Sequence, residues 1–392
     1  MAKKAAASES TNKFQEALER LNKTYGVGTI LELDSKNNNN YDVISTGSIG
    51  FDWITLGVGG FVKGKMYELM GWEGTGKSTI CGHVTAECQK QGGKVLYIDG
   101  EHAVDRKYFQ ALGVDTTKML IAQPSCGEEG FNIAMEMIQT GEIDLVIIDS
   151  DSSLIPKKVL DGEVGDSSIG KKALLNSNAY PKLKGALSQH NVCVIVISQY
   201  REKIGVMFGN PTTTQGGHAL KFYSDCRVEV SRSLAKEGDV TYGNLTKLKA
   251  IKNKMSPPYR LSSFEIVYGQ GIDKFKEIMD LGNEFNILRK YGKTITYAET
   301  KYPIDEFETL LSDNPEFLES ITNDIVAKIK QTDLPEEVEE VERSVIDLTT
   351  LNAPIIQPGT GGPIVTYAHT TGEPTTIYEQ LKQQALVNNN LL

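Results

Sequence analysis

An apolar run, KMYELMG over residues 65–71, leads without a break into Gly71-Trp72-Glu73-Gly74-Thr75-Gly76-Lys77-Ser78, and helical periodicity follows to residue 91. The pattern G-x-x-x-x-G-K-[ST] between a strand and a helix fits a phosphate loop, and it commits this part of the chain to a strand–loop–helix unit. Its glycines permit a tight loop with amides turned inward, and the helix N-terminus adds further N–H groups for anionic oxygens. Lys77 supplies a charge for the outer phosphates of a nucleoside triphosphate. Ser78 offers an oxygen to Mg2+, a hard ion, and Thr79 continues into the helix. A glycine-rich turn with a surface lysine is the structural alternative.

Around this unit, from about Val43 to Tyr268, short β-branched runs recur: KVLYIDG, KMLIAQP, IDLVIIDS and NVCVIVISQ. Longer helical stretches, such as 129–140, separate them. Strands alternating with helices imply βαβ units. We therefore expect an α/β fold: a P-loop ATPase core with a mainly parallel central sheet over 43–271, preceded by an N-terminal helix and linker over 1–42. Phe14, Leu18 and Leu21 stand at helical spacing in that first segment and need burial against the core or a neighbouring subunit. A small α-rich domain is expected over 272–332, with helices at Lys274–Leu281 and Pro315–Lys330. The acidic run and a Thr-, Gly-, Pro- and Asn-rich tail fill 333–392, with one short helix near Thr376–Val387.

The formal net charge is -10, which taken alone argues against a nucleic-acid partner. The charge is segregated, however. Seven acidic residues and one arginine lie between Asp333 and Asp347, whereas basic residues gather at Lys171–Lys172, Arg201–Lys203 and Lys247–Lys254. The five cysteines include no CxxC pair, so neither a zinc site nor a disulfide framework is indicated, and Cys81 and Cys88 read as buried apolar residues. No run reaches the roughly 18 apolar residues of a membrane helix. The opening MAKKAAASESTNKF lacks an apolar h-region, so we expect a cytoplasmic protein (host cytoplasm for a viral chain) without a membrane partner.

Parallel sheets place ligands beyond the C-terminal ends of their strands. Asp149 ends IDLVIIDS there and would reach the metal through water, with Ser150 beside it; helix capping is the alternative for both. Glu101 follows another strand end and would hold and activate the attacking water, with Asp99 a competing candidate. Gln199 ends NVCVIVISQ and suits a sensor of the γ-phosphate, since an amide bonds phosphate or water without changing charge.

In order and spacing, VISTGSIGFDWITLGVGGFVKGKMYELMG, IDGEHAVD, KIGVMFGNPTTTQGG and AIKNK resemble bacterial RecA recombinases over about residues 10–330. The resemblance implies Glu101 as the catalytic carboxylate, with Lys77 and Gln199 completing the catalytic set, and ATP with Mg2+ as cofactors. It implies that Asp105 and Tyr108 hold adenine, and that Lys252 and Lys254 reach the phosphates of a neighbour in a helical filament. Two loops, 161–170 and 200–214, then grip single-stranded DNA. Their cations neutralise phosphates and their apolar residues, Met207 and Phe208 among them, wedge between bases. By resemblance Ile169 and Ile204 are the wedges and Ser177, Gly216 and Gly217 contact the backbone; Arg201 and Lys203 supply charge, and Lys171 and Lys172 compensate electrostatically for arginines that the family places at Leu174 and Pro181. Arg232, Lys247 and Lys249 belong to a secondary site for duplex DNA. Single-strand-binding and loader proteins are further partners. The chain departs from the pattern at Leu174, Pro181 and Ser231, where basic residues are expected, and Pro181 threatens a kink in its helix. A ring-forming motor shares the phosphate loop and the Asp149 strand, and a non-catalytic scaffold would bind the same ligands. The KIGVMFGNP segment and the intact Lys77, Ser78, Glu101, Asp149 and Gln199 set favour the recombinase.

Overall fold

The computed structural model describes residues 2–25, 41–163, 170–202 and 212–332. Ile169, Lys203, Ile204, Met207, Phe208, the acidic run and the expected 376–387 helix lie outside the described residues. All the described residues belong to one compact unit.

In chain order the helices are α1 (Ala2–Tyr25), α2 (Lys77–Lys90), α3 (Arg106–Ala111), α4 (Gly127–Gln139), α5 (Lys157–Leu160), α6 (Lys171–His190), α7 (Ala219–Tyr223), α8 (Lys274–Glu284), α9 (Ile304–Asp313) and α10 (Pro315–Gln331). The strands begin with β1 (Val43–Ile44), β2 (Phe61–Val62), β3 (Met66–Gly71), β4 (Val95–Asp99), β5 (Leu120–Ala122), β6 (Leu145–Asp149), β7 (Cys193–Glu202) and β8 (Thr212–Thr214). They continue with β9 (Cys226–Glu237), β10 (Val240–Asn253), β11 (Leu261–Val267), β12 (Gly271–Ile272), β13 (Leu288–Tyr291), β14 (Thr294–Tyr297) and β15 (Thr300–Pro303).

The main sheet has the order β12-β11-β10-β9-β3-β7-β6-β4-β5, with β8 added to the end of β7. From β9 through β5 the neighbours are parallel, while β10, β11 and β12 pair antiparallel. The expected parallel sheet is thus present and carries an antiparallel wing. The parallel strands read as continuous apolar runs because both faces are covered. Tyr67, Leu69, Tyr97, Ile147 and Ile195 point to the α2 side, where Ile80, Cys81, Val84 and Cys88 pack. Their alternates Met66, Ile98, Val146, Ile148 and Val194 point to Phe131 and Ile138 of α4 and to Tyr180, Leu183 and Leu187 of α6. This is the period of two expected of strands.

Helix α6 runs unbroken through Pro181. The proline removes one backbone donor, and the buried Ala179, Tyr180, Leu183 and Leu187 hold both halves of the helix on the sheet. The C-terminal part packs Ile278, Leu281, Phe307, Leu311, Ile321, Ile325 and Ile329 around Ile54 of the core. It is not purely helical: β13, β14 and β15 form an antiparallel sheet, and β13 turns into β14 through Gly292 at φ +59.

Candidate nucleotide site and its flanking loops

β3 lies at the centre of the sheet, and its last residue abuts β9 so closely that a Cβ on Gly71 would stand 2.1 Å from the Val230 carbonyl oxygen. Gly76 closes the phosphate loop at φ +93, and a Cβ there would meet Ile266 at 2.5 Å. Only glycine fits both demands. Lys77 Nζ donates to the Gly71 carbonyl at 3.0 Å and to the Trp72 carbonyl at 2.7 Å. Burial holds its ammonium pKa below the usual lysine value, against the pull of Asp149 and Glu101. Ser78 Oγ donates to Asp149 Oδ2 at 2.7 Å, and Tyr97 Oη donates to the same oxygen at 2.6 Å. Burial pushes the Asp149 carboxyl above the ordinary carboxylate range. Asp149 is therefore bound to the loop serine directly rather than capping a helix.

Glu101 collects the neighbouring strand ends. Its Oε1 accepts from Ser150 Oγ at 2.6 Å, from Gln199 Nε2 at 2.7 Å and from Ser153 Oγ at 3.3 Å. Asp99, the competing candidate, accepts instead from the Ala103 and Val104 amides and from Gln123 Nε2. It is buried and closes a turn.

A cavity of about 420 Å³ opens above these groups. Glu73, Gly74, Gly76, Lys77, Ser78, Thr79, Glu101, Tyr108, Asp149 and Gln199 line it. Thr79 Oγ1 and Tyr108 Oη share a hydrogen bond at 2.8 Å. Asp105 does not line the cavity; it caps α3, accepting from the amides of Lys107 and Tyr108. Trp72 is 46% exposed beside the loop, edge-on to Tyr200 at 6.0 Å. Sequence reading missed Ile197, Asn244, Ile266, Tyr268 and Gly269, which complete the wall. Four of these come from β10, β11 and the turn after β11, and only the antiparallel wing brings them to the loop.

Arg232 also lines this cavity. Its guanidinium carbon stands 3.3 Å from where a Gly74 Cβ would be, and Nη1 donates to Asn244 Oδ1 at 3.2 Å. In the β9–β10 register Arg232 pairs with Thr246, whereas Lys247 and Lys249 pair with Ser231 and Glu229. Alternation along the strands therefore sets Arg232 on the opposite face from Lys247 and Lys249, so the three do not form one basic group. Lys252 Nζ donates to the carbonyls of Lys221 and Phe222, and Lys254 pairs with Asp225 at 3.2 Å. Neither lines the cavity of its own chain.

Segment 203–211 springs from a short antiparallel ladder in which Tyr200, Arg201 and Glu202 of β7 face Thr214, Thr213 and Thr212 of β8. Arg201 and Gly217 are exposed, and Gly216 is partly so. Segment 164–169 leads into α6, on which Ser177 and Leu174 face solvent and Lys171 is half-buried. Lys172 Nζ is taken up within the chain, by the Leu154 carbonyl at 2.6 Å and Asp151 at 3.4 Å.

Comparison with known proteins agrees with this geometry. The sequence model of the RecA N-terminal domain matches residues 12–273. The chain is 44% identical over 339 residues to the protein RecA of Cytophaga hutchinsonii, covering 86% of this chain and 95% of that one. It is 43% identical to protein RecA of Porphyromonas gingivalis over 317 residues, 80% of this chain and 93% of the relative. Against protein RecA of Clostridium beijerinckii it is 42% identical over 324 residues, 82% and 90% of the two chains. With a phosphate loop, a strand-end aspartate and a glutamate–glutamine pair in place, and with relatives of this similarity along most of its length, the chain belongs to the RecA family.

Proposed function

We infer that this chain is an ATP-dependent recombinase that assembles as a helical filament on single-stranded DNA, pairs it with homologous duplex and exchanges strands. The observation that carries this reading is the bond from Gln199 Nε2 to Glu101 Oε1 at 2.7 Å. It joins the carboxylate beside the phosphate loop to the strand from which segment 203–211 departs, so nucleotide and DNA chemistry share one structural element.

In this reading the loop amides from Gly71 to Thr79, with Lys77, hold the phosphates, and Tyr108 with Asp105 flanks the base. Glu101 orients the attacking water and accepts its proton, and Gln199 exchanges its bond to Glu101 for one to the γ-phosphate. Ser78 and Asp149 are hard oxygen donors 2.7 Å apart, a donor set that fits Mg2+ with Asp149 acting through water. When bound, Mg2+ offsets negative charge on the outer phosphates. Lys252 and Lys254, which do not line the cavity of their own chain, complete a neighbour's site. Ser177, Arg201, Gly216 and Gly217, with Ile169, Lys171, Lys203 and Ile204, form the single-strand site, from which Lys172 is left out because Leu154 and Asp151 hold its ammonium inside the chain; Lys247 and Lys249 serve the duplex. Arg232 lines the phosphate-loop cavity beside Gly74, on the face opposite both lysines, which favours a nucleotide role over the duplex role. Residues 1–42 pack against a neighbouring subunit, which agrees with a Phe14 that is 57% exposed. We take 43–271 as the catalytic core and 272–332 as a small C-terminal domain. No helix among the described residues is long and apolar enough to cross a membrane, and the DNA substrate points to the cytoplasm.

A strand-exchange assay with labelled oligonucleotides, run beside ATP hydrolysis with and without single-stranded DNA, tests the reading. Exchange that requires ATP, and hydrolysis accelerated by DNA, are the expected results. Equal hydrolysis in both conditions and no exchanged product would refute it.

A further inference from the structure

A polar cluster sits inside the otherwise apolar layer between α6 and the sheet. Asp151, one residue after Ser150, is 1% exposed. Its Oδ1 accepts from Tyr180 Oη at 2.6 Å and faces Lys172 Nζ at 3.4 Å, and its Oδ2 accepts from Asn176 Nδ2 at 3.1 Å. Asn176 and Tyr180 are wholly buried. The same Asn176 nitrogen donates to the Gly216 carbonyl at 3.2 Å. With both acceptors on one side, the amide can only be oriented this way, and Asn176 Oδ1 is left buried without a partner. Beside it Tyr180 packs edge-on to Phe131 at 5.2 Å, within the apolar cluster that also holds Leu154 and Leu183. A buried ion pair there is a poor source of stability compared with more leucine, so its value lies in fixing one arrangement.

The arrangement it fixes joins three segments. Asp151 opens the 3-10 turn Asp151–Ser153, whose preceding residue Ser150 bonds Glu101. Lys172, Asn176 and Tyr180 lie on α6, directly after segment 164–169. Gly216 lies two residues past β8, the strand that closes the ladder after segment 203–211. Gly216 has φ +87, and a Cβ there would stand 2.2 Å from Asn176 Nδ2 and 2.8 Å from Asp151 Oδ2. The ladder therefore rests on Glu101 at both ends: through Gln199 at its start, and through Gly216, Asn176, Asp151 and Ser150 at its close.

We propose that Asp151, Asn176, Tyr180 and Lys172 are positioning residues that transmit single-stranded DNA binding to Glu101, by tying both loop-bearing segments to Ser150. This rests on the reading of Glu101 and the two loops given above. DNA that shifts Gly216 or α6 moves Asn176 against a rigid carboxylate, and the displacement passes across one peptide bond to Ser150.

The test uses the full chain with Asn176→Leu, which keeps the branching and heavy-atom count of the side chain and removes the bonds to Asp151 and Gly216. ATP hydrolysis is measured with and without poly(dT), alongside ATP and poly(dT) affinities. Stimulation by DNA should fall by at least about fivefold, a typical coupling, while the DNA-free rate and both affinities stay within about twofold of the parent. Unchanged stimulation would overturn the proposal. So would a proportional loss of the DNA-free rate, or weaker DNA binding that accounts for the whole effect, since either marks a general structural role. Should Asn176→Leu fail to fold, Tyr180→Phe removes a single hydroxyl and is read by the same criteria. A parent chain without any stimulation would refute the functional reading, and the node with it; a stimulated parent with an equally stimulated variant would refute the node alone.

Discussion

Glu277 ties the C-terminal part of the chain to the core, and it should give the protein a pH dependence that one substitution removes. Its carboxylate lies on α8, is 4% exposed, and accepts from Ser48 Oγ at 2.5 Å and from the Gly50 amide at 3.0 Å. Burial raises its pKa from the ordinary 4.5 to about 7, against the lowering effects of the bonds from Ser48 and the loop amides and of the Lys274 charge. A carboxyl with a raised folded-state pKa adds stability that is complete below its unfolded pKa and is lost as pH climbs through the folded one. The full loss is about 3 kcal/mol, and about 2 kcal/mol of it falls between about pH 5.5 and about pH 8. Asp52, also raised to about 7 by burial, acts in the same direction, while His83, lowered to about 4 by burial, opposes both. Both remain in a Glu277→Gln chain, whose amide oxygen can still accept from Ser48 and Gly50. Urea unfolding of parent and variant at the two pH values isolates Glu277. The parent should lose about 2 kcal/mol more than the variant on going to the higher pH. Equal losses in the two proteins would show that Glu277 is already ionised when folded, and would refute the reasoning.

Glu101→Gln should lower DNA-stimulated turnover by about a hundredfold or more and leave DNA-bound filaments visible by negative-stain microscopy. Arg227→Met strands the buried Glu68 carboxylate, so denaturant unfolding should show a loss of about 3–5 kcal/mol, much of it recovered by adding Glu68→Leu. Trp53 and Trp72 are the only tryptophans. In a Trp53→Phe chain, ATP should change the Trp72 emission saturably, and adding Lys77→Ala should abolish that response.

What was legible in the sequence is what short-range chemistry dictates. The loop from Gly71 to Ser78, the strand ending in Asp149 and the helix after Gly76 are each set by a few adjacent residues, and the structure places them as read. The choice between Glu101 and Asp99 was legible only through the family resemblance, because in physical terms it turns on which carboxylate faces the cavity and which closes a turn. The antiparallel wing was missed since β9, β10 and β11 mix polar and apolar residues over long strands without the uniform apolar runs that mark the parallel half. With it went Tyr268, Ile266 and Asn244, and the placement of Arg232 beside Gly74. The Asp151 cluster was invisible for a different reason. Asp151, Lys172, Asn176 and Tyr180 look like ordinary solvent-facing residues until the packing of α6 turns them inward.

The buried pair of Glu68 and Arg227 lies in the last parallel pairing before the antiparallel wing, where β3 and β9 run side by side with these residues as direct partners. A slip of one residue between those strands would turn one charge toward the α2 layer and leave the other facing apolar side chains alone. The pair works as an alignment pin. The distance along β9 from Arg227 to Arg232 is fixed by the chain, so pinning the first at Glu68 sets where the second arrives beside Gly74. The strand that delivers the phosphate loop and the hairpin that walls the opposite side are thereby indexed to one another before any ligand is bound.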